Sequence, residues 1–225
     1  MKKIAWLPAL LITILVPVLL LLSSIWLLIH PAFLDHEYNL KNFPPDEYGF
    51  STADRLKWGK ISLTYLTNQE GIDYLANLQF EDGKPIYNQR ELSHMADVKS
   101  LVQLMNKILA GSLVAFVLLT VFAWLGKWKK KYWQAIISGG WVTLGLVAFI
   151  LAATLINFDE LFTQFHHLFF TGDTWLFFAN DTLIRLYPLK LWSDAFIFMG
   201  IFTLVGILLA IVGGNIALKK NKTAE

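Results

Sequence analysis

The sequence predicts an α-helical polytopic membrane protein with four transmembrane helices, a small extracytoplasmic α/β insert and an aromatic loop at the membrane interface. Two observations predict this class. Hydrophobic residues make up 56% of the 225 residues and mean hydropathy is +0.50, which is too apolar for an ordinary soluble domain. The apolar residues also come in long uninterrupted runs, which a soluble core does not require.

Four segments are long enough to cross a hydrocarbon core of about 30 Å, which takes about 20 apolar residues in a helix. We place the N-terminal tail and first span at 1–29, and the later spans at 101–125, 132–156 and 195–218. The first segment could instead be a cleaved signal peptide, but its apolar stretch is too long and no A-x-A site follows it. In the last span we expect close helix packing at Gly200, Gly206, Gly213 and Gly214.

Charge predicts the orientation of the spans. The lysines of the N-terminus (Lys2 and Lys3), of the 126–131 loop and of the 219–225 tail are accompanied by a single acid, Glu225. All other carboxylates lie in 30–100 and 157–194. The positive-inside rule therefore predicts that both termini are cytoplasmic and that the two long loops are extracytoplasmic. A net charge of only +2 gives no reason to expect nucleic acid.

The 30–100 loop is long enough for a small folded insert. Ser51, followed three residues later by Asp54, predicts the start of a helix. Asp82-Gly83 between apolar flanks predicts a hairpin over 78–87, which is the β part of the insert. Ser93 is expected to cap a helix that runs into the second span.

The 157–194 loop is rich in aromatic residues. Phe158, Phe162, Phe165 and Phe169 recur at helical spacing, and Gly172 is expected to end that helix. Such a loop is expected to lie along the outer membrane surface and to pack under the first loop.

Several kinds of chemistry are excluded. The chain has no cysteine, which removes disulfides, thiolate nucleophiles and cysteine-bound metals. It has neither a G-x-S-x-G elbow nor an H-E-x-x-H motif. No carboxylate or histidine lies within a span, which argues against a proton-driven transporter.

Two sites carry residues that can transfer protons. On a helix, His94 and Asp97 share a face, so the carboxylate could orient the imidazole. The alternative is a solvated first turn in which Asp97 only favours the helix N-terminus. At the second site, His166 lies beside Phe162 and Phe169 on the apolar face, which predicts that His166 is buried and His167 is wet. Both histidines could also lie at headgroup level without a task.

Both predicted histidines lie at a similar height outside the membrane. At 1.5 Å per residue, His94 is roughly 10 Å above the second span and His166 roughly 15 Å above the third. At that level a histidine can act on lipid ester bonds without any charge being buried in hydrocarbon.

Together with the four spans, the chain carries a set of short motifs: Arg90-Glu91-Leu92-Ser93-His94-Met95, Asp97-Val98-Lys99, Phe165-His166, Leu168-Phe169-Phe170, Gly172-Asp173, Trp175 and Asp181-Thr182-Leu183-Ile184-Arg185-Leu186-Tyr187-Pro188. On these motifs and spans the whole chain resembles the lipoprotein intramolecular transacylases (Lit) of Gram-positive bacteria. In that family's pattern the position of His166 is constant and that of His167 varies. Tyr187 departs mildly from it, since Phe is expected there.

The resemblance implies an activity. Such enzymes move the sn-2 acyl chain of a diacylglyceryl-cysteine onto the α-amino group of the same cysteine, without a cofactor. It implies His94 and His166 as catalytic residues, with Asp97 orienting His94 and Arg185 at the carbonyl or at a lipid headgroup. Trp175 and Asp173 are expected to support the site or to bind substrate. The implied partners are diacylglyceryl lipoproteins and membrane lipid, and we expect a monomer with no metal.

Two other hypotheses remain open at this point. The first is a zinc site built from His94, His166 and Asp97, with water as the fourth ligand. The second is a non-enzymatic membrane scaffold or chaperone that binds partners through its outer loops. The scaffold hypothesis predicts that single histidine changes have little effect and that loop deletions have a large one.

Overall fold

The computed structural model describes residues 5–223, with side chains described for 5–220. The terminal residues Lys2, Lys3 and Glu225, and the side chain of Lys222, lie outside this part, so their contribution to the predicted orientation stays an expectation. The described residues form nine α-helices: α1 Trp6–Leu28, α2 Pro31–Tyr38, α3 Thr52–Thr67, α4 Asp73–Ala76, α5 Gln89–Leu125, α6 Lys129–Ile156, α7 Phe158–Phe169, α8 Thr182–Leu186 and α9 Leu189–Thr223. Four of them, α1, α5, α6 and α9, are long and apolar enough to cross a membrane.

The chain divides into two compact units. The span unit comprises the chain up to Trp26, Asn106–Ala153, and the chain from Ile197 onward. The loop unit comprises Leu27–Met105 and Thr154–Phe196. It therefore holds the first turns of α5 and of α9, together with the short helices.

Small residues and hydroxyl groups join the helices of the span unit. A Cβ added to Gly139 on α6 would come within 2.6 Å of the Val16 Cβ on α1, so only glycine allows this approach. Between α1 and α9, the Ser24 and Thr203 hydroxyls hydrogen-bond at 2.9 Å. The four glycines predicted in the last span differ. A Cβ would crowd a neighbouring side chain at Gly200, Gly206 and Gly214. At Gly213 it would meet nothing within 4 Å.

The loop unit is mostly helical, and the β part of the predicted α/β insert is not confirmed as a strand. The 78–87 segment does turn at Gly83, whose φ is +81°. Two backbone hydrogen bonds join its arms, from the Phe80 N–H to the Lys84 carbonyl at 2.8 Å and from the Ile86 N–H to the Leu78 carbonyl at 3.0 Å. They flank one isolated bridge between Gln79 and Pro85, the only β pairing within the described residues. The segment is thus a minimal hairpin and does not form a sheet.

The helix starts in the loop unit are set by side-chain caps. The predicted cap of α3 is confirmed, because Ser51 and Asp54 each accept a hydrogen bond from the other's backbone N–H. The predicted cap at Ser93 is wrong, since α5 begins at Gln89. There Asn88 Oδ1 accepts the Glu91 N–H at 3.0 Å, and Glu91 returns the bond to the Asn88 N–H at 2.8 Å. This reciprocal pair satisfies backbone donors that a helix N-terminus otherwise leaves open.

Candidate active site

Two imidazole rings from different loops lie side by side in the loop unit. The ring centroids of His94 on α5 and His166 on α7 are 6.0 Å apart, and the ring planes are inclined by 26°. The side chains are only 8% and 7% exposed. His94 precedes the apolar stretch of α5, and His166 on α7 follows the third predicted span. Both rings therefore lie outside the predicted spans.

Aromatic rings surround the two imidazoles. The Phe170 centroid lies 5.0 Å from that of His94 and 5.5 Å from that of His166. Phe177 contacts His94 at 5.3 Å. The Trp175 ring is stacked on His166 at 4.7 Å. We call the two imidazoles and the rings around them the histidine cluster: His94, Phe162, His166, Phe170, Trp175 and Phe177.

A tight turn after α7 brings the indole back over this helix. The chain reverses at Gly172, whose φ of +71° is strained for any residue with a side chain. The Trp175 Nε1–H then donates to the Gly172 carbonyl at 3.1 Å. Gly172 therefore sets the direction of the loop that follows the helix, and through it the position of Trp175.

A hydrogen bond fixes the tautomer of His166. Its Nδ1 lies 2.7 Å from the backbone carbonyl of Phe162, one turn earlier on α7. A carbonyl oxygen can only accept, so Nδ1 carries the hydrogen. In the neutral ring this leaves the lone pair on Nε2, where it is available to take a proton.

Burial keeps both imidazoles neutral. Desolvation, followed by the proximity of His166, lowers the pKa of His94 from 6.5 to about 4. Desolvation also lowers the pKa of His166, although the hydrogen bond to the Phe162 carbonyl opposes it. Each ring is therefore unprotonated near pH 7 and keeps a lone pair, and its lowered pKa makes it a weaker base than an ordinary imidazole.

Two carboxylates join the start of α5 to the segment around α8. Glu91, 1% exposed, accepts the Leu183 backbone N–H at 2.7 Å. Asp181 accepts from Asn88 Nδ2 at 2.8 Å and from Arg90 Nη2 at 3.0 Å. Neither Glu91 nor Asp181 was assigned a role from the sequence. The Asn88–Glu91 spacing is a capping signature that could have revealed Glu91 as a structural residue.

The chain is similar to known proteins in sequence and in fold. The family model "Lipoprotein intramolecular transacylase Lit" matches residues 10–192. The chain belongs to the Lit family. A protein of Aquifex aeolicus (strain VF5) described as uncharacterized is 30% identical over 206 residues, which cover 91% of this chain and 92% of that protein.

Solved structures have the same fold. The membrane-integral lipoprotein intramolecular transacylase Lit of Bacillus cereus matches with a TM-score of 0.83 at 20% identity, over 99% of this chain and 100% of that one. A variant of that protein with one histidine replaced by alanine matches with a TM-score of 0.74 at 20% identity, over 96% and 94%. This Lit-family chain is thus a multi-pass membrane protein of an acyltransferase family.

The burial of the neighbouring histidines confirms the helical-phase prediction. His166 is buried, whereas His167 is exposed. The only ring that His167 touches among the described contacts is Trp175, edge-on at 5.2 Å and 89°. His167 thus lies outside the histidine cluster of this Lit-family chain and offers a matched control for His166.

The structure does not bring Asp97 to His94. His94 is buried and Asp97 is exposed, and no hydrogen bond or ion pair of Asp97 is found in the described part of the chain. Residues three apart on a helix differ by about 60° in direction, and here the edge of the buried face falls between them. The alternative zinc site lacks its third ligand for the same reason, and the described residues contain no group of three potential ligands.

Arg185 and Asp173 are also separate from the histidine cluster. Arg185 Nη2 lies 2.9 Å from the Asp46 carboxylate, and the guanidinium carbon lies 3.4 Å from the centre of the Phe50 ring. Its charge is therefore paired within the loop unit, which does not support the expected role at a carbonyl or headgroup. Asp173 is exposed, and its backbone carbonyl accepts the Leu176 N–H at 3.1 Å, so it shapes the turn that contains Trp175.

Proposed function

We propose that this Lit-family chain moves the sn-2 acyl chain of an S-diacylglyceryl-cysteine lipoprotein to the α-amino group of the same cysteine, giving a lyso-form lipoprotein. The supporting observation is a pair of buried imidazoles, His94 and His166, with ring centroids 6.0 Å apart among aromatic rings. At that separation one small ester can contact the edges of both rings. The family to which the chain belongs is described as carrying out intramolecular acyl transfer on lipoproteins.

His166 is the proposed general base. An ammonium group cannot attack an ester, because its lone pair carries a proton, so the amine reacts in its neutral form. His166 Nε2 takes the proton that the nitrogen releases as the new bond forms, and later gives it to the departing glyceryl oxygen. His94 stands next to it as a proton relay, and burial holds its pKa near 4, so it is uncharged when the reaction begins.

The enclosure determines the acceptor of the acyl chain. Water would convert the same ester into a free fatty acid, and the rings of Phe170, Trp175 and Phe177 exclude water from the imidazoles. Ester and amine belong to one substrate molecule, and such well-oriented groups reach effective molarities of about 10⁵ M or more. Positioning therefore supplies much of the rate, and the general base adds about 10²–10⁴-fold.

We place the reaction at the outer membrane–water interface, in line with the lysine distribution and the predicted loop boundaries. Exposed apolar side chains on α7 support this location, since Leu168 is 76% and Phe169 47% exposed. Such a surface suits contact with lipid better than with water. Every residue assigned a role comes from one chain, so the proposed unit is a monomer.

The test is product analysis of a matched pair of variants. Each variant is expressed in a bacterial host that lacks N-acylated lipoproteins, and the N-terminal lipopeptide is examined by mass spectrometry. We expect lyso-form lipopeptide from the wild type and from His167→Ala. His166→Ala should lose about 10²-fold or more of it while the protein is still found in the membrane.

Two results would contradict the proposal. One is a normal yield of lyso-form lipopeptide from His166→Ala. The other is a wild type that produces no N-acylated lipopeptide, which would favour the scaffold hypothesis.

A further inference from the structure

An arginine lies one helical turn before His94 on the same side of α5. Residues four apart on a helix are neighbours on its surface, so Arg90 and His94 face the same way. A single ring confirms this, because Phe177 lies 5.3 Å from the His94 ring and 5.8 Å from the Arg90 guanidinium carbon. Arg90 therefore borders the histidine cluster.

The guanidinium of Arg90 is held in place from two directions. Its Nη2 donates to the Asp181 carboxylate at 3.0 Å, and its central carbon lies 4.8 Å from the Phe178 ring centre. These contacts restrict the side chain and leave the direction of its Nε–H fixed. A fixed donor costs little reorganisation when charge develops opposite it.

Two polar atoms on this face have no hydrogen-bond partner among the described residues. They are the Nε of Arg90 and the Nδ1 of His94, and both atoms are buried. The other arginines of the chain differ in this respect. Arg55 Nε donates to the Arg185 carbonyl at 3.0 Å, and Arg185 Nε donates to Asp46 at 3.2 Å. Burying a donor without a partner costs free energy. That cost is accounted for if a bound acceptor takes the hydrogen bond.

We propose that Arg90 is a further catalytic residue, whose Nε–H donates to the carbonyl oxygen of the sn-2 ester and stabilises the oxyanion formed there. This assignment rests on the proposed transacylase function. It gives the motif around Arg90 a chemical role that the two imidazoles do not fill, because the imidazoles are neutral when the attack begins, whereas the guanidinium is charged before the oxyanion forms.

The neutral amine nitrogen forms a bond to the ester carbonyl carbon, and the C=O π pair moves to the oxygen, opposite Arg90. His166 Nε2 takes the proton that the nitrogen releases. The oxyanion then re-forms the carbonyl as the bond to the glyceryl oxygen breaks, and that oxygen receives the proton from the imidazolium. An ester and an amine become an amide and an alcohol, and Arg90 remains protonated throughout.

The experiment compares single-turnover rates of the purified full-length protein in lipid nanodiscs, with a synthetic diacylglyceryl lipopeptide and mass-spectrometric readout. Removing one oxyanion donor typically costs about 10²–10³-fold, so we expect Arg90→Gln to lose that much. Arg90→Lys keeps a charge for Asp181 but has no N–H at the Nε position, and we expect a loss of at least about tenfold. Binding of a diether lipopeptide, which has no ester carbonyl, should stay within about threefold of wild type for both.

Asp181→Asn removes one of the two contacts that hold the guanidinium but keeps Arg90 and its Nε–H. This variant should therefore lose less rate than Arg90→Gln. Wild-type rates from Arg90→Lys and Arg90→Gln would overturn the assignment, as would a loss of diether binding equal to the loss in rate. An inactive wild type would instead refute the proposed function, and the Arg90 assignment with it.

Discussion

The indole of Trp175 lies stacked on the imidazole of His166, with ring centroids 4.7 Å apart and planes inclined by 28°. This imidazole is also hydrogen-bonded through Nδ1 to the Phe162 carbonyl, at 2.7 Å. The ring is therefore fixed both in its plane and from one face. This arrangement sets the direction of Nε2, the atom proposed to take the proton.

Replacing Trp175 should mainly lower the rate of acyl transfer, with a smaller effect on the stability of the membrane fold. We expect Trp175→Ala to reduce lyso-form product by about 10²-fold, because a catalytic group displaced by about 1 Å can cost that much. Trp175→Phe keeps a ring over His166 and should retain most of the activity. Single-turnover rates in nanodiscs, together with thermal unfolding, measure both effects, and equal rates for the two variants would contradict a positioning role.

The proposed bases should stay neutral well into the acid range. The pKa of His94 is lowered to about 4 and that of His166 is also lowered, both mainly by desolvation. A folded-state pKa below the ordinary value of 6.5 means that stability is lost as pH falls from that value towards 4. ¹⁵N-histidine NMR should show a neutral His94 ring at pH 6, and an imidazolium signal from His94 there would contradict the prediction.

Above that range the substrate should set the pH dependence. A free α-amino group has a pKa of about 7.7–8.0, so the rate should rise with pH through the titration of the substrate amine. Methylating the amine of a synthetic lipopeptide should therefore move the profile. A pH–rate profile that does not move when the pKa of the amine changes would show that another group limits the reaction.

Breaking the Asp46–Arg185 pair should destabilise the loop unit. The two side chains are 4% and 13% exposed, and removing one partner of a buried pair costs about 3–5 kcal/mol. Burial acts to raise the pKa of Asp46, but the hydrogen bonds from Arg185 and the Phe50 N–H and the charges of Arg185 and Arg55 together lower it below 3.8. The advantage of wild type over Asp46→Asn should therefore shrink as pH falls below that value. Denaturant unfolding measures the difference.

The exposed pair of Lys60 and Asp35 is the control for this comparison, with side chains 40% and 48% exposed. Asp35→Asn should cost less than about 1 kcal/mol. Similar losses from Asp35→Asn and Asp46→Asn would show that burial does not distinguish the two pairs.

Glu37 should make the stability of the loop unit fall as pH rises. Its side chain is fully buried beside Asp194, which forms an ion pair with Lys190. Burial, and then Asp194, raise the pKa of Glu37 from 4.5 to about 7. Its stabilising contribution is therefore present below pH 4.5 and lost as pH rises through about 7. Melting curves of Glu37→Gln should lack this decline, and an unchanged decline would assign it to another group.

The sequence predicted those features that depend on short-range periodicity. Long apolar runs indicated the four long helices, and the phenylalanine spacing of α7 selected His166 over His167 for burial. Both follow from the geometry of a single helix. The capping pair of Ser51 and Asp54 was predictable for the same reason.

Pairings between distant segments could not be predicted this way. The carboxylates of Asp46 and Glu91 bind groups far along the chain, at Arg185 and at the Leu183 N–H. Nothing in the local pattern distinguishes Asp46 from Asp97, which is exposed, and the capping spacing of Glu91 does not show that Glu91 also binds the Leu183 N–H. The expected contact of Asp97 with His94 came from spacing alone, and spacing does not reveal where the buried side of a helix ends.

The bond from the Leu183 N–H to Glu91 joins positions 92 residues apart, and two long apolar helices are made between them. During synthesis, a chain that has emerged only as far as α6 already contains His94 but neither its partner imidazole nor the segment that anchors α5. The proposed site can therefore form only after the third long helix and the segment through α8 have both been made. A partly inserted chain would lack that site, so assembly itself would delay the proposed acyl transfer until the loop unit is complete.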